Sequence, residues 1–261
     1  MSEDRTTKPD AGVPSSVRGR ISAGGRDLSA RLYGVACWVL FCVVATLVWP
    51  ALLVLPTLSS RWTLTRVAAR LLCACLGIPF QASGAPLADQ PCVYVANHMS
   101  FLDSFAIGLM FPEPVVFVAG GVLARQRVAG SFLRRIGVVF VKSQGATGRS
   151  SVESVLSTLE DVVRSRRSIV LFPEGGLTVT PELRRFHLGA FVVAAETGRP
   201  VVPVGILGTR AILPAGRRLP RRGAMRLVVG QSLQPTGSGW KAAHELADRA
   251  REAVEGLLAE G

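Results

Sequence analysis

From Leu32 to Ser60 the chain carries no charged residue, and within that stretch Tyr33 to Pro56 reads YGVACWVLFCVVATLVWPALLVLP. At about 1.5 Å rise per residue, a helix of this length crosses a hydrocarbon core about 30 Å thick, or enters it and turns back. Pro50 and Pro56 each remove a backbone N–H, so the pattern fits a re-entrant segment as well as a full span. A buried core helix this long would usually carry a polar face, and a cleaved signal would be shorter and lie nearer the first residue. Trp38, Trp49 and Trp62 are expected at the interface. A second segment, Arg61 to Ile78, places Arg66 and Arg70 four apart on one helical face with Leu and Val on others, the pattern of an amphipathic helix on a membrane surface. Arg26 and Arg31 precede the apolar run, and Arg61, Arg66 and Arg70 follow it. Two basic flanks suit a hairpin whose ends both lie in the cytoplasm.

Beyond residue 80, short β-branched runs alternate with longer helical patterns. Strands are expected at 92–96, 114–119, 137–142, 168–172, 200–206 and 225–230, and helices after Ser100 and over 121–136, 150–166, 187–197 and 239–258. This alternation predicts an α/β domain with a mostly buried central sheet. The predicted organisation is a disordered tail over 1–30, a membrane-anchoring helical pair over 31–78 and the α/β domain over 79–261.

Composition sharpens this picture. Of 261 residues, 49% are apolar, and 30 Lys and Arg face 18 Asp and Glu for a net charge of +12. So apolar a chain is not disordered in the main, and so basic a chain meets anionic surfaces. The cations are clustered. No acidic residue lies between Glu113 and Glu153, which enclose six Lys and Arg, or between Glu196 and Glu245, which enclose eight. Beside a membrane segment these blocks favour anionic headgroups or phosphorylated substrates. With no aromatic-interleaved or helix-turn-helix pattern, nucleic acid is not expected as a partner. The 5 cysteines lie in apolar runs without C-x2-C spacing, as free thiols do.

The most informative residues sit where the run Cys92–Ala96 ends: Asn97, His98, Met99, Ser100, Phe101, Leu102 and Asp103. Five residues on a continuous helix would put His98 and Asp103 about 140° apart. His98 is therefore expected before the helix, with Ser100 as its cap and the imidazole folded back on Asp103. A carboxylate on one ring nitrogen raises the basicity of the other, which makes a general base for a hydroxyl. A structural histidine beside a helix cap fits the same spacing. After another apolar run come Phe172, Pro173, Glu174, Gly175 and Gly176, where glycines let N–H groups approach an anion and a carboxylate can orient a hydroxyl. A tight turn uses the same residue types.

Together these blocks resemble the glycerolipid acyltransferases that include the 1-acylglycerol-3-phosphate acyltransferases. Asn97, His98, Ser100 and Asp103 match the family's N-H-x-x-x-x-D block, and Phe172–Gly175 its F-P-E-G block. Gly137–Val141 matches G-x-x-F-[IV], and Val202–Val204 the hydrophobic V-P-V block. The resemblance implies a glycerol-3-phosphate acyltransferase-like fold in which His98, held by Asp103, deprotonates an acceptor hydroxyl that attacks an acyl thioester. It implies an acceptor site built from Asn97, Ser100, Gly137, Phe140, Lys142, Phe172, Pro173, Glu174, Gly175 and Gly176, with Glu174 orienting the acceptor and Gly175 near the oxyanion. It implies no metal and no organic cofactor, with acyl-CoA or acyl carrier protein as donor. The simplest reaction converts lysophosphatidate to phosphatidate at the cell membrane, with the catalytic domain on the cytoplasmic face.

Three positions depart from the pattern. Lys142-Ser143 stands where the family has an arginine after G-x-x-F-[IV]. Gly176-Leu177 replaces Thr-Arg after F-P-E-G, so that Arg184 and Arg185 are the next cations. His187 stands in the F-K-x-G-A block. A lysine offers a point charge instead of a bidentate fork. Another lyso-lipid acceptor, such as a lyso-ornithine lipid, and a non-catalytic lipid-binding protein are the alternatives.

Overall fold

Six of the apolar runs pair into one sheet, and a further strand joins at its edge. The computed structural model describes residues 15–141, 162, 166–177, 180 and 182–260. The strands are β1 (Phe80–Gly84), β2 (Val93–Ala96), β3 (Val116–Gly120), β4 (Val139–Val141), β5 (Ile169–Leu171), β6 (Val201–Leu207) and β7 (Met225–Val229). They lie in the order β1-β7-β6-β2-β5-β3-β4. Every neighbouring pair is parallel save β6 and β7, which are antiparallel.

The helices are α1 (Ser15–Val54), α2 (Leu58–Leu76), α3 (Leu102–Met110), α4 (Gly121–Ala124), α5 (Arg127–Arg135), α6 (Gly189–Thr197), α7 (Thr209–Ile212) and α8 (Gly239–Ala259). They cover both faces of the sheet, which is why β2 is apolar at every position rather than alternating. Val93 and Val95 pack with Phe191 of α6 and Leu246 of α8, whereas Tyr94 and Ala96 pack with Leu52, Trp62 and Ile107 from α1, α2 and α3.

Several expectations are corrected. Helix α1 begins at Ser15, so half of the segment expected as a tail is helical, and residues 1–14 lie outside the described residues. The helix expected over 121–136 is two, because Gln126 is extended (ψ 118°) between α4 and α5. The helix expected over 150–166 falls outside the described residues but for Val162, which is helical and buried, and Arg166, which is a turn residue. Neither β1 nor α7 was expected.

The N-terminal pair forms a hairpin. Helix α1 runs through Pro50 to Val54, and the chain breaks at Pro56 before Thr57 caps α2 by accepting the Ser60 N–H at 3.1 Å. Tyr33, far back on α1, donates its hydroxyl to Leu76 O at 3.0 Å, at the end of α2. Trp62 is not at an interface: it is buried, stacks on Phe117 and donates to Phe111 O. Arg66, half-buried, and Arg70, exposed, both donate to Leu109 O in the last turn of α3, at 3.1 and 3.4 Å. A helix C-terminus offers unpaired carbonyls with partial negative charge, which compete with water for the guanidinium groups. The exposed residues of α2 include the apolar Val67 and Leu71 as well as Thr63 and Arg70.

Gly208 links β6 to α7 with φ +81°, and a Cβ there would lie 1.9 Å from the Ala224 carbonyl oxygen. Gly208→Ala is expected to destabilise the fold by about 2 kcal/mol or more, lowering the melting temperature by roughly 5 °C. Gly216 has φ +85° with nothing near its Cβ position. Gly216→Ala is expected to shift thermal unfolding by less than half as much, and an equal shift would refute the steric account.

Candidate active site

In a parallel sheet, reactive groups collect where strands end at their carboxyl edge. Here β2 and β5 are neighbours, and β6 flanks β2 on its other side. The loops leaving these three strands bring together Asn97–Asp103, Phe172–Gly176 and Gly208–Leu213.

Asp103 lies in the first turn of α3 and is fully buried. Its Oδ2 accepts the N–H groups of Met99 and Ser100 at 2.7 and 2.8 Å and lies 3.0 Å from His98 Nδ1. Its Oδ1 accepts the Thr209 hydroxyl at 2.6 Å. A carboxylate only accepts, so Nδ1 carries the proton and Nε2 presents a lone pair. No described residue bonds Nε2. The imidazole is stacked face to face on Phe172, with ring centroids 4.0 Å apart and planes inclined by 17°. Carboxylate and aromatic ring together hold one tautomer in one orientation, with 18% of the side chain exposed.

Glu174 is 3% exposed, and its Oε1 accepts the His98 N–H at 2.6 Å while Oε2 accepts the Arg184 N–H at 3.1 Å. The carboxylate expected to orient an acceptor is thus bonded to main chain, and it ties the loop after β5 to the loop after β2. It is a positioning residue. Arg184 joins the site through its backbone, and the side chains of both Arg184 and Arg185 are exposed.

Ser100 is buried, and its hydroxyl donates to Leu213 O at 2.6 Å and accepts the Leu102 N–H at 3.1 Å. It makes the capping bond expected of it, although Phe101 occupies the cap position. Its proton is held by a carbonyl, so no base is placed to activate it as a nucleophile. Asn97 is also buried; its amide donates to Ile206 O at 3.0 Å and accepts the Ile206 N–H at 2.7 Å. Both side-chain groups are used to clamp β2 to β6, a structural role in place of the expected substrate contact.

Gly175 has φ +74°, and its N–H donates to Phe172 O at 3.1 Å, closing a turn instead of facing an oxyanion. A Cβ there would lie 2.7 Å from His187 Cδ2, and the His187 N–H donates to Pro173 O at 2.7 Å. The ring of His187 thereby lies against the loop, and Gly176 follows it half-buried.

Gly137 and Phe140 do not join this cluster. Gly137 (φ +86°) precedes β4, at the opposite end of the strands from the site, where its N–H donates to Arg134 O and a Cβ would press on Leu58. Phe140 lies under the Arg134 guanidinium on the last strand, three places from β2, or about 14 Å at the usual strand spacing. Lys142 lies outside the described residues. Thr209 and Leu213 were missed, since nothing near either marks it as a partner of residues more than a hundred positions earlier. No group of three or more His, Cys, Asp or Glu suited to a metal ion occurs among the described residues.

Comparison with known proteins places this geometry in context. A family model described as Acyltransferase matches residues 80–207, which hold both loops carrying His98, Asp103 and Glu174. A chloroplastic 1-acyl-sn-glycerol-3-phosphate acyltransferase from Brassica napus is 35% identical over 145 residues, 55% of this chain and 41% of that protein. A lyso-ornithine lipid O-acyltransferase from Pseudomonas aeruginosa is 30% identical over 211 residues, 75% of this chain and 76% of its own length. The chain spans about half the length of the plant and algal relatives it matches. The crystal structure of the 1-acyl-sn-glycerophosphate acyltransferase from Thermotoga maritima superposes with a TM-score of 0.69 at 19% identity, covering 89% of this chain and 97% of that one, and so shares the fold. With the ordered sequence blocks, the common sheet and a relative matched over three quarters of its length, the chain belongs to the acyltransferase family.

Proposed function

We propose that this protein transfers a fatty acyl group from an acyl thioester, acyl-CoA or acyl carrier protein, to the hydroxyl of a lysophospholipid. The simplest such reaction converts 1-acylglycerol-3-phosphate to phosphatidate. The observation that carries the reading is the His98–Asp103 pair at 3.0 Å, with Nε2 turned away from the carboxylate. Nε2 takes the proton of the acceptor hydroxyl as its oxygen attacks the thioester carbonyl. The tetrahedral intermediate collapses, the C–S bond breaks and the sulfur leaves with the proton returned from His98, giving an ester and a free thiol. No acyl-enzyme is needed, in keeping with the engaged Ser100 hydroxyl.

A lyso-ornithine lipid acceptor is the second reading. It is supported by the bacterial relative named for this activity, and by Leu177 and His187 standing where the family pattern has cations.

We further propose that the protein works on the cytoplasmic face of the cell membrane, held by a hairpin that lies in one leaflet. Among the described residues, Asp27–Val54 is the one helical stretch long and apolar enough to cross a membrane, and it is mostly exposed, unlike a core helix. This stretch touches the catalytic domain at two places. Gly34 and Trp38 meet the segment before β7, and Leu52 is buried in the core with Arg135 donating to its carbonyl. Tyr33 and Leu52 are about 28 Å apart along the helix axis. A helix braced at two such separated places by one domain lies along it, and the outward stripe of Leu28, Leu32, Val35, Val39, Val43 and Leu47 then meets lipid.

Activity assays with purified protein, acyl-CoA and a panel of lyso-lipids test these readings. His98→Ala is expected to lower thiol release about 10²–10⁴-fold, while Ser100→Ala keeps more activity and no acyl-enzyme appears by mass; equal turnover in His98→Ala would sink the mechanism. Preference for lysophosphatidate over phosphate-free acceptors would exclude the second reading. Thr209→Val is expected to reduce kcat about tenfold with little change in KM, the size of one lost hydrogen bond to a charged group, while Thr209→Ser restores it.

A further inference from the structure

The segment joining β6 to β7 carries Arg217, Arg218, Arg221 and Arg222, all exposed, and none is in an ion pair with a described residue. The segment is braced. The Arg217 N–H donates to Pro214 O at 3.1 Å and the Arg221 N–H to Ile212 O at 2.9 Å, which holds the four side chains on a fixed turn. Its first end is joined to the site, since Leu213 O accepts the Ser100 hydroxyl and Pro214 pairs with Ser100 in an isolated bridge. Its far end grips α1. Trp38 Nε1 donates to Arg218 O at 2.7 Å, the Arg222 guanidinium lies 4.8 Å from the centre of the Tyr33 ring, and Gly34 admits Leu219 so closely that a Cβ would lie 2.9 Å from Leu219 Cβ.

The surroundings of these cations are apolar. Leu32, Val35 and Val39 are exposed on the neighbouring stretch of α1, and Phe101, one residue after the Ser100–Pro214 bridge, is 64% exposed. Cations with no ion pair to a described residue, set beside apolar side chains that the described residues leave exposed, match a bilayer surface: phosphates at the level of the guanidinium groups and hydrocarbon beneath. A soluble anion would use the charge and leave the apolar side chains wet.

We propose that Arg217, Arg218, Arg221 and Arg222 form a docking site for the phosphate headgroups of anionic phospholipids in the membrane that holds α1. The contact sets the mouth of the active site, through Ser100 and Phe101, over the lipid surface. This rests on the membrane-bound transferase reading and adds to it the lipid that orients the domain.

The test uses the full chain with two kinds of vesicle, phosphatidylcholine alone and phosphatidylcholine mixed with phosphatidylglycerol. The wild type is expected to favour the anionic vesicles. The variant with all four arginines changed to glutamine is expected to lose roughly 100-fold or more of that preference, at about fivefold per arginine, while the four-lysine variant keeps most of it. Binding to neutral vesicles stays equal in all three, which also shows that the variants fold. A wild type indifferent to lipid charge, or a glutamine variant that partitions like the wild type, would overturn the proposal. Turnover in uncharged detergent micelles separates a donor site from a lipid site. An unchanged KM for acyl-CoA in the glutamine variant supports the docking site, and a raised one overturns it. If the wild type turned over no lyso-lipid, the transferase reading alone would fall, and the vesicle result would still decide the docking site.

Discussion

Removing a carboxylate from water costs several kcal/mol unless donors replace the water it loses. Asp103 is fully buried, and it is met by two main-chain amides, a threonine hydroxyl and an imidazole. Satisfying that one charge dictates the shape of the site. The chain after β2 must wrap so that the Met99 and Ser100 amides converge, and the wrap swings His98 back over α3. The chain leaving β6 must deliver Thr209 to the remaining oxygen. Because three of the four donors come from residues 98–100, the turn cannot relax without leaving the buried charge short of partners. Glu174 repeats the principle one strand away, accepting the His98 N–H and the Arg184 N–H. Two buried carboxylates therefore knit the loops after β2, β5 and β6 into one piece and leave His98 Nε2 without a described partner.

The same economy of partners explains the N-terminal hairpin. Helix α2 buries Trp62, Leu72 and Cys73, and Arg66 and Arg70 reach the Leu109 carbonyl from its flank. Val67 and Leu71 are left exposed, which suits apolar surroundings on that side of the helix. The exposed stripe along α1 makes the same demand, and bracing at Gly34 and Trp38 and again at Leu52 keeps that part of the helix alongside the domain. Trp62, buried against Phe117, works as a core residue joining hairpin to sheet.

How much of this was legible varies with the range of the forces involved. Strands β2, β5 and β6 could be read because both faces of each are buried, which demands apolar residues throughout. Strand β1 could not, since FQASG is held at the sheet edge by backbone bonds to β7 and leaves four of its five residues exposed. The pairing of His98 with Asp103 followed from a spacing of five residues, a local property. Thr209 lies 106 residues from Asp103, and Ser100 lies 113 from the carbonyl it meets. Only the fold brings such partners together. Gly137 misled for a different reason: a block that matches a strand does not say which of its residues reach the reactive edge, and this one sits at the amino end, where a positive φ and a crowded Leu58 account for it.

Glu174 and Asn97 show why resemblance of residues and identity of role are separate matters. Both sit in blocks associated with binding, and both use their polar atoms on main chain. On the proposed reading, recognition of the acceptor falls to groups that these bonds do not occupy. His187, lying against Gly175 at the rim, and the exposed Arg184 and Arg185 have that freedom. Their geometry differs in kind from a bidentate fork at the base of a pocket. Of these, Arg184 and Arg185 carry charge, and exposed cations at a rim select for charge and tolerate variation in headgroup shape, whereas a buried fork selects for one phosphate. On the proposed reading, a fixed His98–Asp103 pair beside the exposed Arg184 and Arg185 gives a site of narrow chemistry whose choice of acceptor is set at its edge.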